Sequence, residues 1–171
     1  AITAAEGYHV LAGDELAEGA QPGVDALRVV ESVDAEEHRL RVAEGGADLR
    51  VIITVTDEIE VVDGVETRVV IESETEDGET VEISRNFFAI CNRDNSVVYF
   101  GEDVDNYENG VVVNHDGSWR AGVNGARAGV IMPGTLLLGG KYFQEIARDD
   151  KALDRAEIVS TNVSFETPAG T

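Results

Sequence analysis

The sequence predicts an all-β fold, an antiparallel meander curled into a half-barrel or sandwich with few or no helices. Three observations carry this. Short β-branched or aromatic runs are separated by Asp63-Gly64, Asp77-Gly78, Asn109-Gly110 and Asp116-Gly117, steps that favour tight hairpin turns because both residues tolerate a left-handed backbone. Between the turns, apolar and polar residues alternate with the period of two that a half-buried strand requires. Finally, residues 49 to 120 contain no amphipathic stretch long enough to supply the crossover helices of a parallel sheet.

In chain order, residues 1–48 form the least regular region. Tyr8 to Leu11 reads as a short strand ended by Gly13, and Pro22-Gly23 marks an irregular connection. Ala26 to Val30 opens another apolar run. Arg39-Leu40-Arg41-Val42 alternates charge with aliphatic, and Gly45-Gly46 closes it. Residues 49–171 carry the clearer β core. Leu49, Val51, Ile53 and Val55 share one parity; after Asp63-Gly64, so do Val65, Thr67, Val69 and Ile71. Glu72, Glu74 and Glu76 take the other parity and are expected to face water, because same-face neighbours nearly 7 Å apart, about twice the rise per residue, do not share an ion easily. Val81, Ile83, Phe87 and Ala89 continue the expected buried face.

The stretch from Asn86 to Pro133 concentrates aromatic, glycine and turn residues. Its apolar runs, Phe87 to Cys91, Val97 to Phe100 and Val111 to Val113, are divided at Asp94-Asn95 and Asn109-Gly110. Residues 120–129 make a glycine-spaced loop leading to Val130-Ile131-Met132. Residues 141–156 are where a helix competes with strand, and Ile158, Val159, Val163 and Phe165 read as a last strand. The whole is expected to be one β domain over 1–171.

With 171 residues, the chain can bury a core without disulfides. Its 13 basic and 34 acidic side chains leave a formal charge of −21. A surface so charged repels phosphate backbones and anionic headgroups, so neither nucleic acid nor a membrane is an expected partner. It also keeps an exported protein soluble. The one thiol, Cys91, lies in an apolar run with no basic neighbourhood to activate it and reads as core. The opening Ala1-Ile2-Thr3-Ala4 fits a chain from which an export signal has been removed or whose start was trimmed, and no apolar span for a transmembrane helix occurs.

Candidate chemistry is sparse. Glu102, Asp103, Asp105 and Glu108 are the densest acidic cluster, and hard cations such as calcium take several oxygen ligands of this kind, which makes the four a candidate calcium site. The EF-hand spacing fails, with Glu108 where glycine is needed and Asn114 where the bidentate glutamate belongs, and a hydrated acidic turn is the simpler reading. No other cofactor is expected. His115, Asp116 and Ser118 hold the residue types of a hydrolase triad but crowd into one turn, where nucleophile, base and orienter do not line up. Gly139-Gly140-Lys141-Tyr142 departs from a phosphate loop in spacing and in lacking the hydroxyl ligand, and Gly122, Gly125 and Gly129 do not open a dinucleotide-binding helix. Asn162-Val163-Ser164 is a formal glycosylation sequon. Trp119 and Arg120 could line a ligand pocket or an interface; equally, Trp119 caps a core and Arg120 pairs with a carboxylate.

Three runs carry a resemblance: Val98 to Asp103, Tyr107 to Gly110, and His115 to Ala126, continued by Tyr142 to Glu145 and Asp154 to Ser160. Over roughly residues 49–171 the chain resembles a family of uncharacterised exported bacterial proteins, β-rich and with no assigned activity, substrate or catalytic residue. Such proteins open with an aromatic-containing strand, matched poorly by residues 1–48, and continue past the segment like Thr167 to Thr171 into further strands. Without those strands a sheet edge stays open, and an open edge invites strand addition from another copy. The resulting expectation is a non-catalytic, extracytoplasmic interaction or structural module that self-assembles through its edge. The alternative is a protein that binds a small or lipid-like ligand on the concave face of its sheet.

Overall fold

The computed structural model describes residues 27–29, 38–44 and 47–164. The protein is all-β, with eleven strands and no helix among these residues. The strands are β1 (Leu27–Val29), β2 (His38–Glu44), β3 (Ala47–Val62), β4 (Val65–Glu76), β5 (Glu79–Cys91), β6 (Val97–Glu108), β7 (Val111–Asn114), β8 (Trp119–Arg120), β9 (Gly129–Met132), β10 (Lys141–Phe143) and β11 (Arg155–Glu157). The expected strands near Tyr8 and at Phe165 lie outside the described residues.

Strands β2 to β7 are neighbours in chain order, the expected antiparallel meander. The sheet stays open. Its turns form where left-handed residues permit them: Asp63 and Gly64 have φ of 50° and 76°, Asp77 and Gly78 of 50° and 88°, and Asn109 and Gly110 of 51° and 75°, the paired positive values that match a hairpin turn to strand twist. Around Asn95, the Cys91 N–H donates to the Ser96 carbonyl at 2.8 Å. β6 is the organising strand. Along one side it pairs with β5; along the other it meets β7, β8 and β9 in succession. Past Arg68, where the pairing of β4 with β5 stops, β1 takes over as the neighbour of β5.

Register divides the side chains between two faces. Val65, Thr67, Val69, Phe87, Ala89 and Cys91 share the first and are buried. The second holds Arg68, Val70, Glu72 and Glu74 of β4 beside Phe88, Asn86, Ser84 and Glu82 of β5. This second face is not the wet side that alternation predicts: Arg68, Val70, Ser84 and Asn86 are buried, and Glu72 and Glu74 are half-buried, leaving Glu76 exposed. The chain from Trp119 onward explains the difference, because Trp119, Ala147 and Ala152 join the same core cluster as Tyr99 and Phe87. Buried polar groups are satisfied in turn. Thr67 Oγ1 donates to the Glu60 carbonyl at 2.7 Å, Arg68 Nη1 to the Thr56 carbonyl at 3.2 Å, and Asn86 Nδ2 to Ser84 Oγ at 2.9 Å, as burial demands.

Two expectations for the last third change. Residues 141–157 form the β10–β11 hairpin, not a helix, since Tyr142 and Ala156 pair across it. Residues 158–164 are irregular, with Val159 and Val163 exposed.

Candidate functional site

Position 101 shapes the site. Opposite the short span from Asn86 to Phe88, β6 runs from Tyr99 to Glu102 with an extra residue, a bulge. Gly101 absorbs it with φ of 119°, and its α-carbon lies so close to the Trp119 carbonyl that no side chain fits. The bulge lets β8 pair there, Trp119 opposite Glu102 and Arg120 opposite Gly101.

Trp119 and Arg120 then part to opposite faces. Trp119 is 3% exposed. It meets the Tyr99 ring edge-on at 5.4 Å, and Tyr99 stacks on Phe88 at 4.8 Å. The Tyr99 hydroxyl donates to Asn86 Oδ1 at 2.5 Å. The Trp119 Nε1–H, buried, completes no hydrogen bond, although it stands near enough to the Glu145 carboxyl to offset part of the rise that burial gives the Glu145 pKa. Arg120 lies over the Phe87 ring at 4.6 Å. Its Nε and Nη2 donate to the two oxygens of Asp103 at 2.9 and 2.5 Å, and Nη1 donates to Glu60 at 3.0 Å. Those hydrogen bonds, chiefly Asp103, raise the guanidinium pKa further.

The acidic cluster of β6 is dispersed by the same alternation. Glu102 lies on the second face, half-buried, while Asp103 and Asp105 lie on the first. Asp103 is held by Arg120 and Asp105 by His115 Nδ1 at 2.9 Å. Glu108 is exposed at the hairpin end, opposite Val111. The four do not converge, and among the described residues no three His, Cys, Asp or Glu side chains are grouped to hold a metal.

The turn at 115–118 is tied to β6. The Val104 N–H donates to Ser118 Oγ at 2.8 Å, and His115 Nδ1 lies 2.9 Å from the Val104 carbonyl. The His115 and Ser118 side chains are therefore occupied, both with the Val104 backbone and His115 also with Asp105.

Above this turn opens a cleft of about 650 Å³ whose walls include Glu102, Asp116, Glu145, Asp149, Asp150 and Asp154, with His115 and Lys151 as its basic groups. Glu102 is central to its electrostatics. Burial first, then the charges of Glu145 and Glu82, push its pKa up to about 8. Burial likewise raises Glu145, with Asp154 adding to it. Deeper on the same face, Glu72 is raised by burial and then by Glu74 and Glu82, and Glu82 by burial and Glu74. No cation pairs with Glu72, Glu74, Glu82, Glu102 or Glu145 among the described residues. Glu72, Glu82, Glu102 and Glu145, so placed, keep protons at pH values where a solvated carboxyl is ionised.

Sequence reasoning singled out Glu102 without these neighbours. Glu82, Ser84 and Asn86 share a parity opposite to Phe87 and Ala89, and that signal was there to read. Glu145 offered none, because a loop distant in sequence brings it in.

Fold and site define a class, an open antiparallel β protein with an acidic cleft at one edge of its sheet. Compared with protein families, curated proteins and solved structures, the chain matches none. Among the described residues no helix is long and apolar enough to cross a membrane.

Proposed function

We propose that the protein is a non-catalytic, extracytoplasmic structural module that associates with further copies of itself through the outer edge of β7. The supporting observation is β7 itself. Val111, Val112 and Val113 are 64, 39 and 47% exposed, and β7 ends the sheet, paired only with β6 among the described residues. Native edges are usually blunted by lysine, proline or an inward charge; Val111 to Asn114 carries none of these. In a chain of charge −21, an uncharged strand is also where two copies meet with least repulsion. Its four residues offer few hydrogen bonds, so the association is weak and concentration-dependent. The high negative charge and the resemblance to exported proteins support the extracytoplasmic setting.

Ligand binding has less support. The cleft is walled by carboxylates, unlike the apolar lining that holds a lipid-like molecule. Size-exclusion chromatography with light scattering over a wide concentration range tests the proposal. The mass is expected to rise with concentration for the wild type and to stay monomeric for Val112→Lys; a wild type monomeric throughout overturns it.

A further inference from the structure

Given self-association through β7, on which this rests, we infer that two copies meet β7 to β7 across a two-fold axis at Val112, an antiparallel pair that closes at a dimer. The backbone decides which atoms are offered. Asn109 and Gly110 form a two-residue turn with Glu108 opposite Val111, and residues that close such a turn exchange hydrogen bonds with each other. The polar groups of Val111 therefore turn toward β6. In an antiparallel ladder the next pair is the non-hydrogen-bonded one, so Val112, opposite Tyr107, turns its N–H and C=O outward. On that side β7 has no neighbour among the described residues. Val113 is the extra residue of a bulge, because the register steps from Tyr107 and Val112 to Asn106 and Asn114. Asn106 Nδ2 donates to Asn114 Oδ1 at 2.9 Å, which ties that end of β7 inward. Val112 is thus the residue that presents both its amide and its carbonyl to the open edge.

The sequence around Val112 is suited to meeting itself. From Asn109 to His115 there is no Asp, Glu, Lys or Arg, while Glu108 and Asp116 bound the run on either side. Val112 is its midpoint. A two-fold axis perpendicular to the sheet at that residue pairs positions equally spaced to either side of it, and it keeps each face of one sheet continuous with the same face of the other. Val112 then exchanges two hydrogen bonds with Val112 of the second copy, Val111 lies across from Val113, and Asn109 lies across from His115. Both acidic neighbours fall outside the pair. In a chain of charge −21, this register sets no two carboxylates opposite each other, where like charges would oppose pairing. Because both copies use the same patch, the contact is isologous and leaves no free β7 edge for a third.

Two measurements on the full chain test this pairing. In size-exclusion chromatography with light scattering, the mass is expected to rise with concentration and to level off at two copies. In amide hydrogen exchange followed by NMR over the same range, the Val112 N–H is expected to slow on the order of fivefold as the edge becomes paired. The Val111 N–H, already bonded to Glu108 across the turn, should change much less. Val112→Lys should remove both the rise in mass and the slowing. A mass that climbs past two copies, or one that doubles with no slowing at Val112, overturns the pairing while leaving self-association in place. A wild type that is monomeric throughout overturns both.

Discussion

Glu74 of β4 and Glu82 of β5 stand directly opposite each other across an antiparallel pair, on a face that the rest of the chain half-covers. Like charges in that position oppose strand pairing, and Glu72 adds a third carboxyl on that face, its pKa raised by burial and then by Glu74 and Glu82. Burial and these neighbours raise the pKa of Glu72 and Glu82, so those two hold their protons above the range of a solvated glutamate.

The sign of the pH dependence follows. The pKa values of Glu72, Glu82, Glu102 and Glu145 are raised by folding, so the folded chain binds more protons than the unfolded one above the ordinary glutamate value of 4.5. Their stabilising contribution is fully present below that value and is lost as pH rises toward about 8, the pKa of Glu102. Thermal melts should show a midpoint that falls from pH 5 to pH 8.5. Glu82→Gln should raise stability at pH 8.5 by about 0.5–1 kcal/mol and change little at pH 4; a midpoint rising with pH contradicts this.

Arg120 joins Asp103 on β6 to Glu60 on β3 over the Phe87 ring. Because the pair is partly exposed, with side chains 33% and 44% accessible, Arg120→Ala is expected to cost about 1–2 kcal/mol in urea denaturation. Arg120→Lys should recover less than half of that, since an ammonium cannot make the two parallel bonds to Asp103. Full recovery by lysine would show that charge, not geometry, is what matters.

Gly101→Ala should be among the most damaging single changes. It places a Cβ against the Trp119 carbonyl at φ of 119°, and a loss of about 2–4 kcal/mol is expected. Near-UV circular dichroism should change with it, because β8 carries Trp119. An alanine variant with wild-type stability would show that the bulge is not required.

Tyr99→Phe removes the hydroxyl that donates to Asn86 Oδ1. The ring stack on Phe88 survives, so the expected cost is that of one orphaned buried acceptor, about 1–2 kcal/mol. Equilibrium denaturation measures it, and Asn86→Ala in the same background should add less than it does in the wild type.

Calcium addition should leave the thermal midpoint unchanged. Glu102 lies on the opposite face of β6 from Asp103 and Asp105, and those two are engaged by Arg120 and His115. A midpoint that rises with calcium and falls with a chelator would mean that the oxygens come together in a way this geometry does not provide.

Much of this fold was legible because it is local. The Asp-Gly and Asn-Gly steps mark turns since few other pairs accept two positive φ values, and Asp63-Gly64, Asp77-Gly78 and Asn109-Gly110 all adopt them. Consecutive strands joined by such turns must be neighbours, so the order β2 to β7 and the sharing of a face by Val65, Thr67, Val69 and Phe87 follow from residues close in sequence. Period-two alternation, however, says only which side chains lie together, not what distant piece of chain comes to rest on them. The row Glu72, Glu74 and Glu76 therefore looked wet, and two of its three members became half-buried. Arg120 found Glu60, 60 residues away, and Glu145 came down beside Glu102. Such long-range placements are set by how the C-terminal third packs, a balance of buried area against carboxyl desolvation that exists only once the chain has closed on itself.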